Sequence, residues 1–271
     1  MSPAKQAPRK SIPRRSARGA PRIRAVPAVT RAVAILRLLG RSRVPLAGKA
    51  IAKELDLVPS TCLHILRALV AEQLVKVDSA SKRYSLGSGM LPLARAVLES
   101  GGFSNLVQPE LDRISGQHGV TAIGVQIEGL EHMIVVALSR ARIPMRLHVD
   151  VGSRFPALIS ATGRCVAAFG GHAWPEIERH FRTLHWQTPP RLDTWRRDVE
   201  TARRRGYSID RGNYINGVTI VGVPVLDSRG VITHCIVGIG LLDHLDRAKA
   251  VSLARDMTVA ADAVASQLFL R

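Results

Sequence analysis

The chain has 271 residues, 46% of them hydrophobic and 22% charged, which is a globular composition with length enough for two domains that each bury a core. Its formal charge of +18 points to a polyanionic partner. Cys62, Cys165 and Cys235 are odd in number and far apart, which argues against a disulfide framework or a CxxC metal site and fits reduced thiols in the cytoplasm; no run of 18 apolar residues predicts a membrane-spanning helix.

Lys5, Arg9, Lys10, Arg14, Arg15, Arg18, Arg22 and Arg24 put eight positive charges in the first 24 residues with no acid among them, leaving about +10 on the remainder. Arg14-Arg15 is read against a twin-arginine export signal, because Arg18, Arg22 and Arg24 interrupt the place of its apolar segment. The prolines at 3, 8, 13 and 21 argue against an amphipathic transit helix. Residues 1–27 therefore read as a disordered basic arm.

Ala28–Leu39 predicts a first helix with Val29, Val33, Leu36 and Leu39 on its inner face, ending at Gly40. A second helix is expected over Ala47–Leu55, with Ile51 and Leu55 inward, and Asp56–Pro59 as the turn. The third helix opens at Pro59-Ser60-Thr61 and sets Cys62, Ile65, Leu66 and Leu69 at i, i+3, i+4 and i+7, one buried stripe. That leaves Ser60, Thr61, Leu63, His64 and Arg67 outward, short polar and basic groups suited to a major groove. Ser60 is expected to cap the helix while Thr61, His64 and Arg67 reach base edges or phosphate. Strands at Leu74–Val77 and Arg83–Leu86 flank a polar turn and form a wing, with Lys82 and Arg83 placed for phosphate contacts. The order helix, helix, helix, hairpin is a winged helix-turn-helix, expected over residues 28–87.

Residues 88–102 read as a connecting helix, strongest over Leu91–Leu98, and residues 103–271 as a second domain. There a helix at Leu106–His118 precedes strands at Thr121–Ile127, His132–Leu138 and Met145–Val149. Helices are predicted over Ser160–Phe169, Trp174–Leu184 and Asp193–Arg205, then strands over Val218–Leu226 and Val231–Ile239, and a long closing helix. Antiparallel hairpins separated by helices indicate an α+β domain whose helices cover a central sheet.

P-S-T-C-L-H-I-L-R-A-L at 59–69, G-S-R-F-P-A-L-I-S-A-T-G-R at 152–164, R-G-Y-S-I-D at 205–210 and V-G-V-P-V-L-D at 221–227 together resemble the IclR family of bacterial transcription regulators, in the family's order from about Ala28 to Leu268. The resemblance implies a winged-helix DNA-binding domain, a linker helix used in dimerisation and a GAF-like C-terminal domain that binds a small effector. It implies a homodimer or dimer of dimers on a palindromic double-stranded operator, in the cytoplasm and away from any membrane. His64 stands where family members commonly carry Arg, a departure that weakens a phosphate or guanine contact there or makes it pH-sensitive.

Ser160-Ala161-Thr162-Gly163 opens a helix, and free N–H groups at such a terminus suit an anion. Carboxylate effectors of the family bind the equivalent backbone, so the resemblance nominates Ala161 and Thr162, with Asp210 at a pocket position just before the central strand. Ile220, Val237 and Ile239 match pocket-facing positions where relatives that bind small keto acids carry more polar groups, which favours an apolar or aromatic acid here; plain core packing is the competing reading. No cofactor is indicated. Cys165, among Val166, Ala167 and Ala168, reads as a structural thiol and not a nucleophile, so an enzyme is not expected. His172, His180 and His185 share no helical face and predict no metal site, and Asp198 and Glu200 read as a solvated charged face. Two other readings stay open: an architectural DNA-binding protein whose second domain only oligomerises, and an enzyme fused to a DNA-binding domain.

Overall fold

The computed structural model describes residues 26–100, 102–141 and 149–269. The basic arm, apart from its last two residues, and the strand expected at Met145–Val149, apart from Val149, lie outside the described residues. The chain divides into two compact units at Leu93/Ala94.

The first unit runs α1 (Pro27–Arg41), β1 (Leu46–Ala47), α2 (Gly48–Glu54), α3 (Pro59–Ala71), β2 (Val75–Val77) and β3 (Arg83–Leu86). Pro27 starts α1, where its missing N–H costs nothing. The helix continues through Gly40 to Arg41, and its inner face keeps Leu36 and Leu39 as expected but takes Ala32 and Ile35 in place of Val29 and Val33. Ile35 and Leu39 are buried, with Ala32 and Leu36 packed beside them, whereas Val29 is 60% exposed. Both stripes have helical spacing, and the one that selects Ile35 buries the bulkier residue.

Ala47, expected to open the second helix, instead joins Leu46 in pairing antiparallel with Arg83 and Tyr84, giving a three-stranded sheet in the order β1-β3-β2. Ile51, Cys62, Leu66 and Leu69 meet Ile35 and Leu39 in one core, so the stripe read from α3 is the buried one. Gly87 follows β3 where a Cβ would overlap the Gln73 carbonyl, so the chain leaves the wing only through a residue without a side chain. The helix α4 (Met90–Ser100) spans the division between the units.

The second unit contains α5 (Gly102–His118), β4 (Thr121–Glu128), β5 (His132–Leu138), β6 (Arg154–Pro156), α6 (Ser160–Phe169), α7 (Trp174–Phe181), α8 (Leu192–Arg205), β7 (Ser208–Arg211), β8 (Val218–Leu226), β9 (Ile232–Leu241) and α9 (Arg247–Leu268). Its six strands form one antiparallel sheet in the order β6-β5-β4-β9-β8-β7. The α+β reading holds, while the short outer strands β6 and β7 are additions to it. Gly102, the last residue of the expected connecting helix, instead begins α5, which starts a full turn before the expected Leu106.

Alternation sorts the strand side chains onto two faces. Ala122, Val221, Val223 and Ile236 pack with Phe103 and Val107 of α5 and Leu253 and Met257 of α9. Ile123, Val125, Ile220 and Val237 pack on the other face with α6 and the aromatic residues Phe181 and Trp195. Gly124 lies where a Cβ would stand 2.9 Å from the Phe103 ring, so the close seat of α5 depends on its bare backbone.

His234 stacks on Phe103 with ring centroids 4.1 Å apart, and burial pushes its pKa down from 6.5 to about 4. As the folded value lies below the unfolded one, the unfolded chain binds the proton first on acidification. Stability contributed by neutral His234 is therefore complete above about pH 6.5 and is lost as pH falls towards about 4, by about 3 kcal/mol in all. His234→Phe, which keeps the stack, should flatten the urea midpoint between pH 7 and 4.5; an unchanged slope would rule this imidazole out as the cause.

Candidate DNA-reading face and ligand cavity

The first unit offers α3 as its reading element. Ser60, Leu63, His64 and Arg67 are exposed, with Leu63 at 39%, and none of their side chains makes a hydrogen bond or ion pair among the described residues. Thr61 is half-buried, at the margin of that face. Ser60 does not cap the helix: Val58 is the N-cap with no side-chain bond, because Pro59 already occupies the first helical position and Ser60 the second. Its hydroxyl is thereby left outward.

The wing turn is drawn together by Asp78, whose Oδ1 accepts from the Ser81 amide at 2.6 Å and hydroxyl at 2.7 Å. Those bonds, the hydroxyl's first, hold the Asp78 carboxyl below the usual carboxylate range. Lys82 takes a left-handed backbone, φ 55°, at the exposed tip. Arg83 differs from its partner, since its Nη1 donates to the Pro45 carbonyl at 3.1 Å and ties the wing to the strand before α2. Between 26 and 93 the chain carries ten Lys or Arg against four Asp or Glu, so this unit remains basic without the arm.

In the second unit a cavity of about 50 Å³ opens between the sheet and the start of α6. Thr162, Ile220, Val237 and Ile239 all line it, four of the six residues nominated from the sequence. Strand register explains the apolar group: Ile220 stands opposite Ile239, and Val237 opposite Gly222, on the same face of neighbouring antiparallel strands. Phe155, Met133 and Tyr214 complete walls that sequence reasoning did not identify. Phe155 arrives on β6, a three-residue strand too short to declare itself by alternation. Ala161 and Asp210 are buried but lie outside the cavity lining.

The polar end of the cavity is Ser160. It begins α6 with φ 61°, a left-handed conformation unfavourable for a residue with a side chain, and its buried Oγ has no hydrogen-bond partner. Ile159 supplies no side-chain cap, so the first N–H groups of α6 keep their donor capacity beside that hydroxyl. Tyr214 adds a phenol whose pKa burial raises. An almost wholly apolar cavity with buried donors just behind one end can hold an apolar body, and an anionic head once those donors are uncovered.

Arg164 braces this end and was not singled out from the sequence. It is 2% exposed in the middle of α6, and its Nη1 donates to the Ser160 carbonyl at 3.1 Å, Nη2 to Asn213 Oδ1 at 3.0 Å and Nε to Asp198 Oδ2 at 3.3 Å. Asp198 is thus no mere solvated acid, as expected from the charge pattern, but a partner of a buried guanidinium. Asp210 lies within β7, 3.9 Å from Arg164 Nη1, and accepts from the Asn213 amide at 2.9 Å and the Tyr214 amide at 3.3 Å. It shapes the segment that brings Tyr214 to the cavity. An arginine inside an otherwise apolar helix is the signal that could have found this brace, since a buried charge requires partners.

Cys165 is fully buried, and its thiol donates to the Gly222 carbonyl at 3.4 Å. No group of three or more His, Cys, Asp or Glu able to hold a metal ion occurs among the described residues. No helix among them is long and apolar enough to cross a membrane.

Two family models match the chain: the IclR helix-turn-helix domain over residues 28–79 and the bacterial transcriptional regulator IclR C-terminal domain over residues 95–266. The glycerol operon regulatory protein of Streptomyces griseus is 29% identical over 251 residues, covering 90% of this chain and 97% of its own. The transcriptional repressor AllR of Escherichia coli is 25% identical over 241 residues, covering 84% and 86%. The crystal structure of an IclR transcriptional regulator from Alicyclobacillus acidocaldarius superposes with a TM-score of 0.79 at 24% identity, covering 89% of this chain and 98% of its own, and so shares the fold.

Proposed function

Because the chain belongs to the IclR family and is a DNA-binding transcriptional regulator, we propose that it is a one-component switch of the cytoplasm that reads a palindromic operator as a homodimer or dimer of dimers and releases or engages it when an apolar or aromatic organic acid enters the second unit. Ser60, Thr61, Leu63, His64 and Arg67 read base edges and nearby phosphates, and Lys82 and Arg83 rest on the backbone beyond them. Leu63 offers a thymine methyl an apolar contact.

The observation that carries the sensing role is the buried, unpartnered Ser160 hydroxyl at the start of α6, facing a cavity otherwise lined mainly by hydrocarbon. The carboxylate takes the Ser160 hydroxyl and the first amides of α6, including those of Ala161 and Thr162, and the apolar body lies against Ile220, Val237 and Ile239. Asp210 acts indirectly by holding the Tyr214 segment. A cavity of about 50 Å³ holds little more than the head of such an acid, so entry must part the walls. The parted and closed states then bind the ligand unequally, which is the condition for a ligand to shift an equilibrium. α4, which spans the division between the units, carries the change. The genes controlled are those of an operon that consumes the acid, and no turnover of the ligand is expected.

The test uses the full chain, a duplex from upstream of its own gene and a panel of aliphatic and aromatic carboxylates. An aromatic or branched acid should change duplex affinity and raise the melting temperature reported by tryptophan fluorescence. Ser160→Ala should keep DNA affinity and lose that response. Arg67→Ala should weaken operator binding by about 1–3 kcal/mol and leave binding to unrelated duplex nearly unchanged. A panel that moves neither affinity nor melting sinks the sensing role, and a specific-to-nonspecific ratio near one points instead to an arm-dominated architectural binder.

A further inference from the structure

We propose that the second unit carries a separate binding site for a small phosphate-class anion, such as a phosphate monoester or diphosphate, in a cleft that shares no lining residue with the apolar cavity. The cleft encloses about 580 Å³, and four arginines from four different elements line it: Arg164 of α6, Arg205 of α8, Arg211 of β7 and Arg247 of α9. Asp198 is the acidic residue in the lining. It is committed to Arg164, as is the buried Asp210 behind it. Asp246 neighbours Arg211 and caps α9, its Oδ1 accepting from the Lys249 amide. Arg211 donates to the Leu245 carbonyl at 3.1 Å.

Arg205 and Arg247 are different. Neither side chain forms a hydrogen bond or ion pair among the described residues, although both line the same concavity. The contrast along α8 separates this from ordinary surface charge. Arg203 reaches the Ala168 carbonyl and Glu200, Arg197 reaches Thr194, Arg204 reaches Thr201, and Arg196 lies over the Trp174 ring at 4.6 Å. Arg205 is the arginine of that helix whose side chain has neither a hydrogen bond nor a ring contact among the described residues, and it is the one that lines the cleft. Like charges drawn from separate elements repel one another unless an anion lies between them, and planar guanidinium forks match tetrahedral phosphate oxygens two at a time. β7 is an edge strand of the sheet, which leaves backbone groups on its open side as further donors.

The ligand would also compete with Asp198 for Arg164, the side chain that grips Ser160 and Asn213. Its binding does not depend on the cavity accepting an organic acid. DNA backbone shares the same phosphate chemistry, so the experiment needs an arm for each source.

The full chain is titrated calorimetrically with inorganic pyrophosphate in phosphate-free buffer. The expected result is saturable binding that weakens about tenfold or more in Arg205→Ala/Arg247→Ala, consistent with the loss of charge-assisted bonds. Arg197→Ala/Arg204→Ala makes the same charge change on α8 outside the cleft, and Arg14→Ala/Arg15→Ala alters the arm; both should bind as the parent does. Asp198→Asn, which removes the competing carboxylate, should bind more tightly. Arg205→Lys/Arg247→Lys keeps charge and fold but loses the forks, and should fall between parent and alanine pair. Equal weakening by both arginine pairs, or no saturable binding, overturns the proposal. So does a cleft variant that leaves pyrophosphate binding intact while lowering the salt slope of binding to unrelated duplex DNA, because the cleft would then hold nucleic acid instead.

Discussion

Gly163→Ala should lower the melting temperature of the second unit by roughly 10 °C, corresponding to a loss of about 3–5 kcal/mol. The reason is steric and local. A Cβ at position 163 would overlap the backbone of Leu158, both its carbonyl and its Cα, so no rotamer change relieves it. The start of α6 folds back on the preceding turn, with the Gly163 amide donating to the Ile159 carbonyl at 2.9 Å. The opposite side is also close, though less so: a Cβ on Gly222 of β8 would stand 3.1 Å from the Thr162 amide nitrogen. α6 can therefore neither lift nor slide to admit a methyl group, and overpacking in a place that cannot yield is among the costlier single substitutions. Trp174, Trp186 and Trp195, which are all three tryptophans of the chain, lie in this unit, so their fluorescence reports its melting alone. A melting temperature within 2 °C of the parent would show that the turn relaxes cheaply and that α6 yields to a methyl group after all.

The parts of the fold that the sequence makes legible are those where one periodicity has one consistent partner. α3 was readable because Cys62, Leu66 and Leu69 admit one inner face, and β8 because nine residues alternate between two packed layers. α1 is legible only in part because two overlapping stripes compete, and the choice between them rests on the tertiary core that Ile35 and Leu39 join. β6 and β7, at three and four residues, are defined by their pairing partners more than by their own pattern. The same division runs through the site. Ile220, Val237 and Ile239 were nominated with Thr162 and converge because strand register brings them together, which local alternation anticipates. Asp210 lies one layer away, engaged with backbone amides and Arg164, and no local pattern distinguishes a carboxylate that lines a cavity from one that holds its wall. Ser60 shows the same limit on a smaller scale, as its place one step inside the helix follows from how Pro59 enters.

Arg164→Ala should cost about 3–5 kcal/mol, because it leaves Asp210 as a buried carboxylate without its cationic neighbour. Asp210 is 1% exposed, so water cannot take over the role of the guanidinium. The loss also frees the Ser160 carbonyl and the Asn213 side chain, which Arg164 binds from the two ends of the polar brace. If the brace acts as a unit, its members are not additive. Asp210→Asn removes the negative charge but keeps a carbonyl oxygen able to accept from one of the two amides that Asp210 now serves, so by itself it should be the milder change. Combined with Arg164→Ala it removes the uncompensated charge, and the double variant should be more stable than the sum of the single losses by at least about 1 kcal/mol. Tryptophan-monitored urea unfolding of the four proteins measures that difference. Additive losses would mean that the 3.9 Å approach of the two side chains carries no coupling. A coupling of the predicted sign makes Arg164 a positioning residue of the cavity, since the same guanidinium that neutralises Asp210 fixes the backbone of Ser160 and the segment leading to Tyr214. Arg164→Lys separates charge from geometry: it supplies the cation without the three-way fork, so it should recover part of the stability and leave the acid-induced rise in melting temperature impaired.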